Sequence, residues 1–430
     1  MKTRELLQLR QAGTDCYAGS RAQASRDIPL GFNWTADRSI ADTLGLQGVN
    51  KLAVASIVGD LLVAAETGRA VSYSRNKNFY RGQQRYCGGA YTYANVIAGV
   101  NALKDAGYIE NWTAPARPPR EDVQGVQSRM WATPKLIEAC QSLAIDRRPG
   151  QETIWLRDAD GRNVDYGETR AVDRMRKRVE RINADIISIK MGLPLPGVTL
   201  SAHHLVIPHV AKTGNAVPIY IPNDALSVRR VFCRGSFKCG GRLYGPWQQI
   251  PSALRPSITI DGEPTAEPDF KAMHAGLAYA MASRPLAPGE DPYITGDFPR
   301  EHGKLAILVS LNARTANDAV GAIAEELREE LGKVDRGYAS CLLKAVKAKN
   351  PGIAHMLGSD VGVMLQRLDS DIALDVIEAC HREGIHVLPV HDSFIVPAKH
   401  ADRTREIMDR TWSEALMSAA AQGTGSTVEN

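Results

Sequence analysis

The stretch Ile385–Pro397, IHVLPVHDSFIVP, reads as two short apolar strands broken by HDS, the pattern of a β-hairpin. Asp392 stands at the edge of that apolar run, where folding tends to bury it. A second acid, Asp269 in PDFKAMHAGLAYA (268–280), stands in the same relation to an apolar run. A lone buried carboxylate is costly and pairs with a cation or a metal ion. Two such acids brought together can hold two divalent ions, one activating an attacking hydroxyl and the other stabilising a leaving pyrophosphate. Taken singly, an aspartate at a strand end is commonly a cap or a turn residue.

Further motifs surround the pair in a fixed order. GGRLYGPWQQIP (240–251) precedes Asp269; DPYITGDFPREHGKLAILVSLNA (291–313) and MLQRLDSDIALDVI (364–377) lie between Asp269 and Asp392. In this order the chain, from about 230 to 400, resembles the family A DNA polymerases and their relatives, the phage-type single-subunit RNA polymerases. The resemblance implies an α+β fold with a reduced palm and short fingers. It implies Asp269 and Asp392 as metal ligands with the Phe270 backbone carbonyl, and Mg²⁺ (two ions, or Mn²⁺) as cofactor. It implies Arg300 and Lys304, four apart on one helical face, as triphosphate contacts. Arg242, Gln249 and Gln366 fall at primer–template positions, and His391 at the support of the primer end.

Two positions depart from the family pattern. His274 stands where the DNA polymerases carry a glutamate, and Asn312 where an aromatic faces it; together these positions read the sugar 2′-hydroxyl. A His–Asn pair fits neither the DNA nor the RNA rule, so the choice between dNTP and rNTP stays open. The motif around Asp392 reads HDS, as in the RNA polymerases, whereas the GRL…QQIP segment leans toward the DNA enzymes. The short fingers leave no room for a proofreading domain, and a thumb has to come from the helix at 168–190. Low processivity and dependence on helicase or other replication proteins are expected.

Upstream, KLAVASIVGDLLVAAETG (51–68) has helical spacing with Gly68 as stop. The residues from Thr67 to Leu103 include no acid and carry Arg69, Arg75, Lys77, Arg81 and Arg85 among tyrosines and a phenylalanine. YTYANVIAGVNALKDAG (91–107) reads as a second helix with Gly107 as C-cap, followed by strand-like YIENW, a Pro-rich loop (TAPARPPRED, 113–122) and strand-like SRMWATP. Helix, short strand, loop, strand is the order of a winged helix, and the segment resembles winged-helix replication and regulatory proteins of bacteria and plasmids. A helical domain with a solvated basic loop is the plainer alternative. In ETRAVDRMRKRVERINADIISIK (168–190) Val172, Met175, Val179, Ile182, Ile186 and Ile189 form one apolar stripe opposite Arg170, Arg174, Lys177, Arg178 and Arg181. Arg174 and Arg178 are candidate phosphate contacts; a solvated face is the plain reading.

The expected organisation is an N-terminal segment (1–40), a winged-helix-like DNA-binding domain (41–145), a linker with a thumb-like basic helix (146–200), the palm and fingers (201–418) and a disordered tail (419–430). The 430 residues, 44% apolar and 23% charged, describe a globular chain, and a net charge of +4 places any nucleic-acid argument on local clusters. Seven scattered cysteines form no CxxC pair, which points to free thiols in a reducing compartment. No GxxxxGK[ST] loop marks a helicase or ATPase, and no run has the length of a membrane span. The expectation is a cytoplasmic, template-directed nucleotidyltransferase, a DNA polymerase possibly priming its own synthesis on a plasmid, phage or other mobile element. A primase or small RNA polymerase using rNTPs is the alternative within enzymes. A non-catalytic winged-helix initiator or regulator is the alternative of another class. DNA template, primer and nucleoside triphosphates are the expected partners.

Overall fold

The computed structural model describes residues 27–115, 126–210, 216–223, 226–282, 284 and 289–425, with side chains to 418. The protein is of mixed α+β class. It divides into two compact units. The first comprises Met1–Thr153, Asn163–Glu168 and Leu195–Ala225; the second comprises Ile154–Arg162, Thr169–Pro194 and Leu226–Asn430.

In the first unit the helix Lys51–Ala65 starts at Asn50, whose side chain accepts from Ala53 N at 3.0 Å. This helix is buried on nearly every face, which explains its all-round apolar sequence. The helix Tyr93–Asp105 crosses it so closely that a Cβ on Gly99 would lie 2.9 Å from Ile57 Cδ1. Both helices pack against a four-stranded sheet in the order Ile28–Pro29, Val71–Tyr73, Ser128–Ala132, Ile109–Trp112. The outer pair with Ile28–Pro29 is parallel and the others antiparallel. The two expected strands, YIENW and SRMWATP, are present and paired, with Ile109 opposite Ala132. Val71–Tyr73 lies inside the stretch read as a basic loop; three residues are too few for period-2 alternation to register. Most of the Pro-rich loop, residues 116–125, lies outside the described residues.

Asp60 is buried in the middle of the Lys51–Ala65 helix and accepts from the backbone N–H groups of Gly31 (3.1 Å), Phe32 (3.0 Å) and Trp34 (3.0 Å). It holds residues 31–35 on the helix, where a Cβ on Gly59 would strike Thr35 N at 2.7 Å. Burial pushes its carboxyl up to about 7, against those backbone donors. The folded state therefore binds the proton more tightly than the unfolded chain, whose carboxyl titrates near 4. The stability contributed by the protonated form is full below pH 4 and is lost as pH rises to 7. Urea unfolding of the whole chain, with hydrogen exchange read in the 51–65 helix, is expected to show that unit less stable at pH 8 than at pH 5 by roughly 2–4 kcal/mol. Asp60→Asn should flatten this slope while costing about 2 kcal/mol at pH 5, because its amide hydrogens face backbone donors.

The second unit is built on a five-stranded sheet in the order Leu388–Val390, Ser393–Pro397, Glu263–Ala266, Thr259–Ile260, Met191–Gly192, every pair antiparallel. The expected hairpin at 385–397 is its first two strands. Ser393–Pro397 has neighbours on both edges and is buried throughout, which accounts for its unbroken apolar run. Helices Met273–Met281, Gly362–Arg382 and Ala401–Gly425 pack together, and Arg300–Asn312 packs with Ala316–Glu326 and Arg336–Lys349. A second sheet joins Ser236–Tyr244, Arg229–Cys233 and Ile154–Leu156.

The helix expected at 168–190 spans Arg170–Ile186 and buries Val172, Val179, Ile182 and Ile186 of the stripe. Its Arg178 pairs with Asp375 and Glu378, and Arg181 reaches Glu378 at 3.5 Å, so this basic side is a seam against the 362–382 helix. Residues 201–225, expected with the palm, cluster with the first unit: Glu66 binds His203 and Arg69 binds His204. The expected linker 146–200 is divided between the units. The C-terminal helix continues to Gly425, into the expected tail, and residues 426–430 lie outside the described residues.

Candidate active site

The hairpin turns through two residues, His391 and Asp392, between the paired Val390 and Ser393. His391 adopts φ +59, a conformation usual for glycine, so the tight turn is strained by a bulky side chain. Asp269 follows the strand Glu263–Ala266 and forms an antiparallel bridge with Ser393. Phe270 N donates to the Asp392 carbonyl at 3.3 Å, and Phe394 N donates to the Pro268 carbonyl at 3.0 Å. This bridge brings the two aspartates together across 123 residues of chain (392 − 269).

Asp269 and Asp392 line a cleft of 530 Å³ with Gln248, Arg255, Glu267, Val390, His391 and Ser393. Burial first, then the charges of Asp392 and Glu267, push the Asp269 carboxyl up to about 6; the Phe270 backbone N–H and Lys304 act the other way. Glu267 is the acid that sequence reading missed. It lies two residues before Asp269, the spacing that puts both on one face of an extended chain. Arg255 donates to it at 3.0 and 3.1 Å, and Ser393 Oγ donates to it at 2.7 Å.

His391 is half-buried, its ring edge-on to Tyr244 with centroids 5.5 Å apart, and its buried Nδ1 has no hydrogen-bond partner. Burial, then Arg242, lowers its pKa against the charges of Asp392 and Asp369. Trp247 Nε1 and Gln248 Nε2 both donate to the Pro389 carbonyl, at 2.8 and 2.9 Å, tying the turn 246–249 to the hairpin. Gln248 therefore lines the cleft, while Gln249, the expected template contact, is exposed outside it.

Arg242 binds Asp369 through Nε (3.1 Å) and Nη2 (2.5 Å), and burial, which would lower its pKa, is outweighed by this carboxylate, so the guanidinium is held charged. His274 also binds Asp369, with Nε2 2.7 Å from Oδ2. Asn312, expected to face His274, instead donates to the Leu308 carbonyl of its own helix at 2.8 Å, and its side chain fills the place a Cβ on Gly362 would take. Gln366 is half-buried on the 362–382 helix.

Arg300 and Lys304 both lie on the helix Arg300–Asn312. Arg300 is occupied by Asp291 at 2.6 Å and Glu301 at 3.0 Å and stands over the Tyr293 ring. Lys304 is exposed, has no ion pair among the described residues, and its charge reaches Asp269.

The basic residues of the first unit separate into two groups. Arg69 donates to Thr67, contacts His204 at 3.0 Å and lies over the Tyr220 ring, with burial pulling its pKa down to about 10. Arg85 is paired with Asp165, Glu168 and Glu152. Both are internal ties, a correction to their reading as DNA contacts. Arg75, Lys77 and Arg81 are exposed, as is Arg174 in the second unit.

Among the described residues no group of three or more His, Cys, Asp or Glu is placed to hold a metal ion, the cysteines are free, and no helix is long and apolar enough to cross a membrane. Compared with known proteins, the chain matches no family model and no curated protein.

Proposed function

We propose that the chain is a template-directed nucleotidyltransferase whose second unit acts as a reduced polymerase palm and fingers. The observation that carries this reading is the bridge between Asp269 and Ser393, which sets Asp269 beside Asp392 with Lys304 as the unpaired cation nearby. The donor chemistry fits divalent cations: two hard carboxylates crowd each other strongly enough to push Asp269 up to about 6, and a dication relieves that repulsion. Asp269 and Asp392, with the Phe270 carbonyl, would hold Mg²⁺, which when bound activates a 3′-hydroxyl and stabilises the leaving pyrophosphate. With only two carboxylates from the protein, the substrate phosphates and water complete the coordination.

The chain's own residues then divide the work. Lys304 faces the triphosphate, and His391, with its unsatisfied Nδ1, stands at the primer end. The half-closed cleft orients the hydroxyl for in-line attack. In the first unit, helix, helix and the antiparallel order Val71–Tyr73, Ser128–Ala132, Ile109–Trp112 support the reading as a winged helix that engages DNA duplex. Such a pairing suits replication of a plasmid, phage or other mobile element.

A primer–template extension assay with the full chain, Mg²⁺ and all nucleotides tests the proposal. Template-dependent product is expected, abolished by chelation. No product with Mg²⁺ or Mn²⁺, on primed or unprimed template, overturns it.

A further inference from the structure

Asp369 lies on the helix Gly362–Arg382 and is 2% exposed. Its carboxylate is held by Arg242 from one side and by His274 Nε2 at 2.7 Å from the other. Arg242 Nη2 also stands 3.1 Å from the same His274 nitrogen. One ring nitrogen cannot donate and accept at once, and a carboxylate can only accept. The 2.7 Å contact therefore places a hydrogen on His274 Nε2, while the Arg242 hydrogens go to Asp369. In the uncharged ring Nδ1 then bears a lone pair. Nδ1 makes no hydrogen bond to the described protein and is not among its buried unsatisfied atoms, so it is open to solvent. This group borders the cleft: Arg242 experiences the charge of Asp392, and His391 that of both Arg242 and Asp369.

We propose that Asp369 is a positioning residue that fixes His274 as a hydrogen-bond acceptor for a sugar hydroxyl, and that the site therefore takes ribonucleoside triphosphates. The inference rests on the nucleotidyltransferase reading and gives it a substrate class. A 2′-hydroxyl donates to the Nδ1 lone pair, whereas a deoxy sugar leaves Nδ1 without that partner. Bound back to the 362–382 helix, the imidazole also leaves room that a freely projecting side chain would fill.

Two readouts on the full chain test this. The ¹⁵N spectrum of histidine-labelled protein is expected to show His274 as the Nε2–H tautomer, with D369N mixing the tautomers; circular dichroism melts confirm that each variant is folded. Extension with rNTPs or dNTPs, supplied separately, is expected to show rNTP incorporation within about tenfold of dNTP or above it. H274L should lower the rNTP:dNTP ratio about tenfold, D369N should lower it less, and H274N, whose amide oxygen falls near the place of Nδ1, should recover part. An Nδ1–H tautomer in the wild type, or an unchanged ratio in H274L, overturns the proposal. Incorporation of dNTPs alone overturns it and leaves the nucleotidyltransferase reading standing. A wild type that incorporates neither nucleotide removes both, whatever its tautomer.

Discussion

Asp392→Asn is expected to lower Mg²⁺-dependent nucleotide incorporation by about a thousandfold or more, since the lost oxygen would cost several kcal/mol of transition-state charge stabilisation. The substitution is close to isosteric and leaves the hairpin intact. The hydrogen bond from Phe270 is accepted by the Asp392 backbone carbonyl, and the Val390–Ser393 pair belongs to the backbone ladder. Stability should hold or rise, because Asp392 is the charge that most opposes ionisation of Asp269, after burial itself. Removing it lets the Asp269 carboxyl fall back from about 6 toward the ordinary range. Duplex binding by the first unit should persist. The measurement is single-turnover incorporation, with a thermal melt and a duplex-binding titration on the same preparation. Asp269→Asn should behave alike. Either variant retaining a tenth or more of wild-type incorporation removes these two acids from the chemistry.

The second large effect concerns Lys304. Its ammonium is exposed and unpaired among the described residues, yet its charge favours the ionised form of Asp269. Arg300, one turn earlier on the same helix, is held by Asp291 and Glu301. A free cation offers a triphosphate more than one that must first leave a carboxylate. Lys304→Ala is therefore expected to reduce kcat/KM for the nucleotide about a hundredfold, and Arg300→Ala only about tenfold, with Lys304→Arg recovering part of the loss. The acid side of the pH profile should move as well. Removing Lys304 takes away an influence that lowers the Asp269 pKa, so its folded value rises above about 6 and the fall in activity begins at higher pH. Initial rates across nucleotide concentration and from pH 5.5 to 8, a window chosen to bracket the Asp269 value, separate the two effects. Equal losses for Arg300→Ala and Lys304→Ala would mean that the Asp291 pair does not matter.

Much of the site was legible because its chemistry lies in short local motifs. Asp269 and Asp392 each sit at the edge of an apolar run, and that position alone marked them. Arg300 and Lys304 fall on one helix face through their four-residue spacing. The residues misread are those whose partners lie far along the chain. Arg178 looked like a phosphate contact until Asp375 and Glu378, about 200 residues away, were found against it. Arg69 and Arg85 shared that fate through His204, Tyr220, Asp165 and Glu168. Asp369 went unnoticed because an acid on a helix is ordinarily solvated, and only Arg242 and His274 make its burial tolerable.

By itself the sequence determined the helices and strands around the site, since apolar periodicity and capping act within a few residues. It also determined which two acids had to be buried at the hairpin and after Glu267. Only the tertiary structure decided which cations remain free, which acid joins the cleft and which nitrogen of His274 is engaged. The physical reason is that charge pairing and desolvation depend on distance in space, and the Asp269–Ser393 bridge and the packing of the 362–382 helix set those distances between residues remote in sequence.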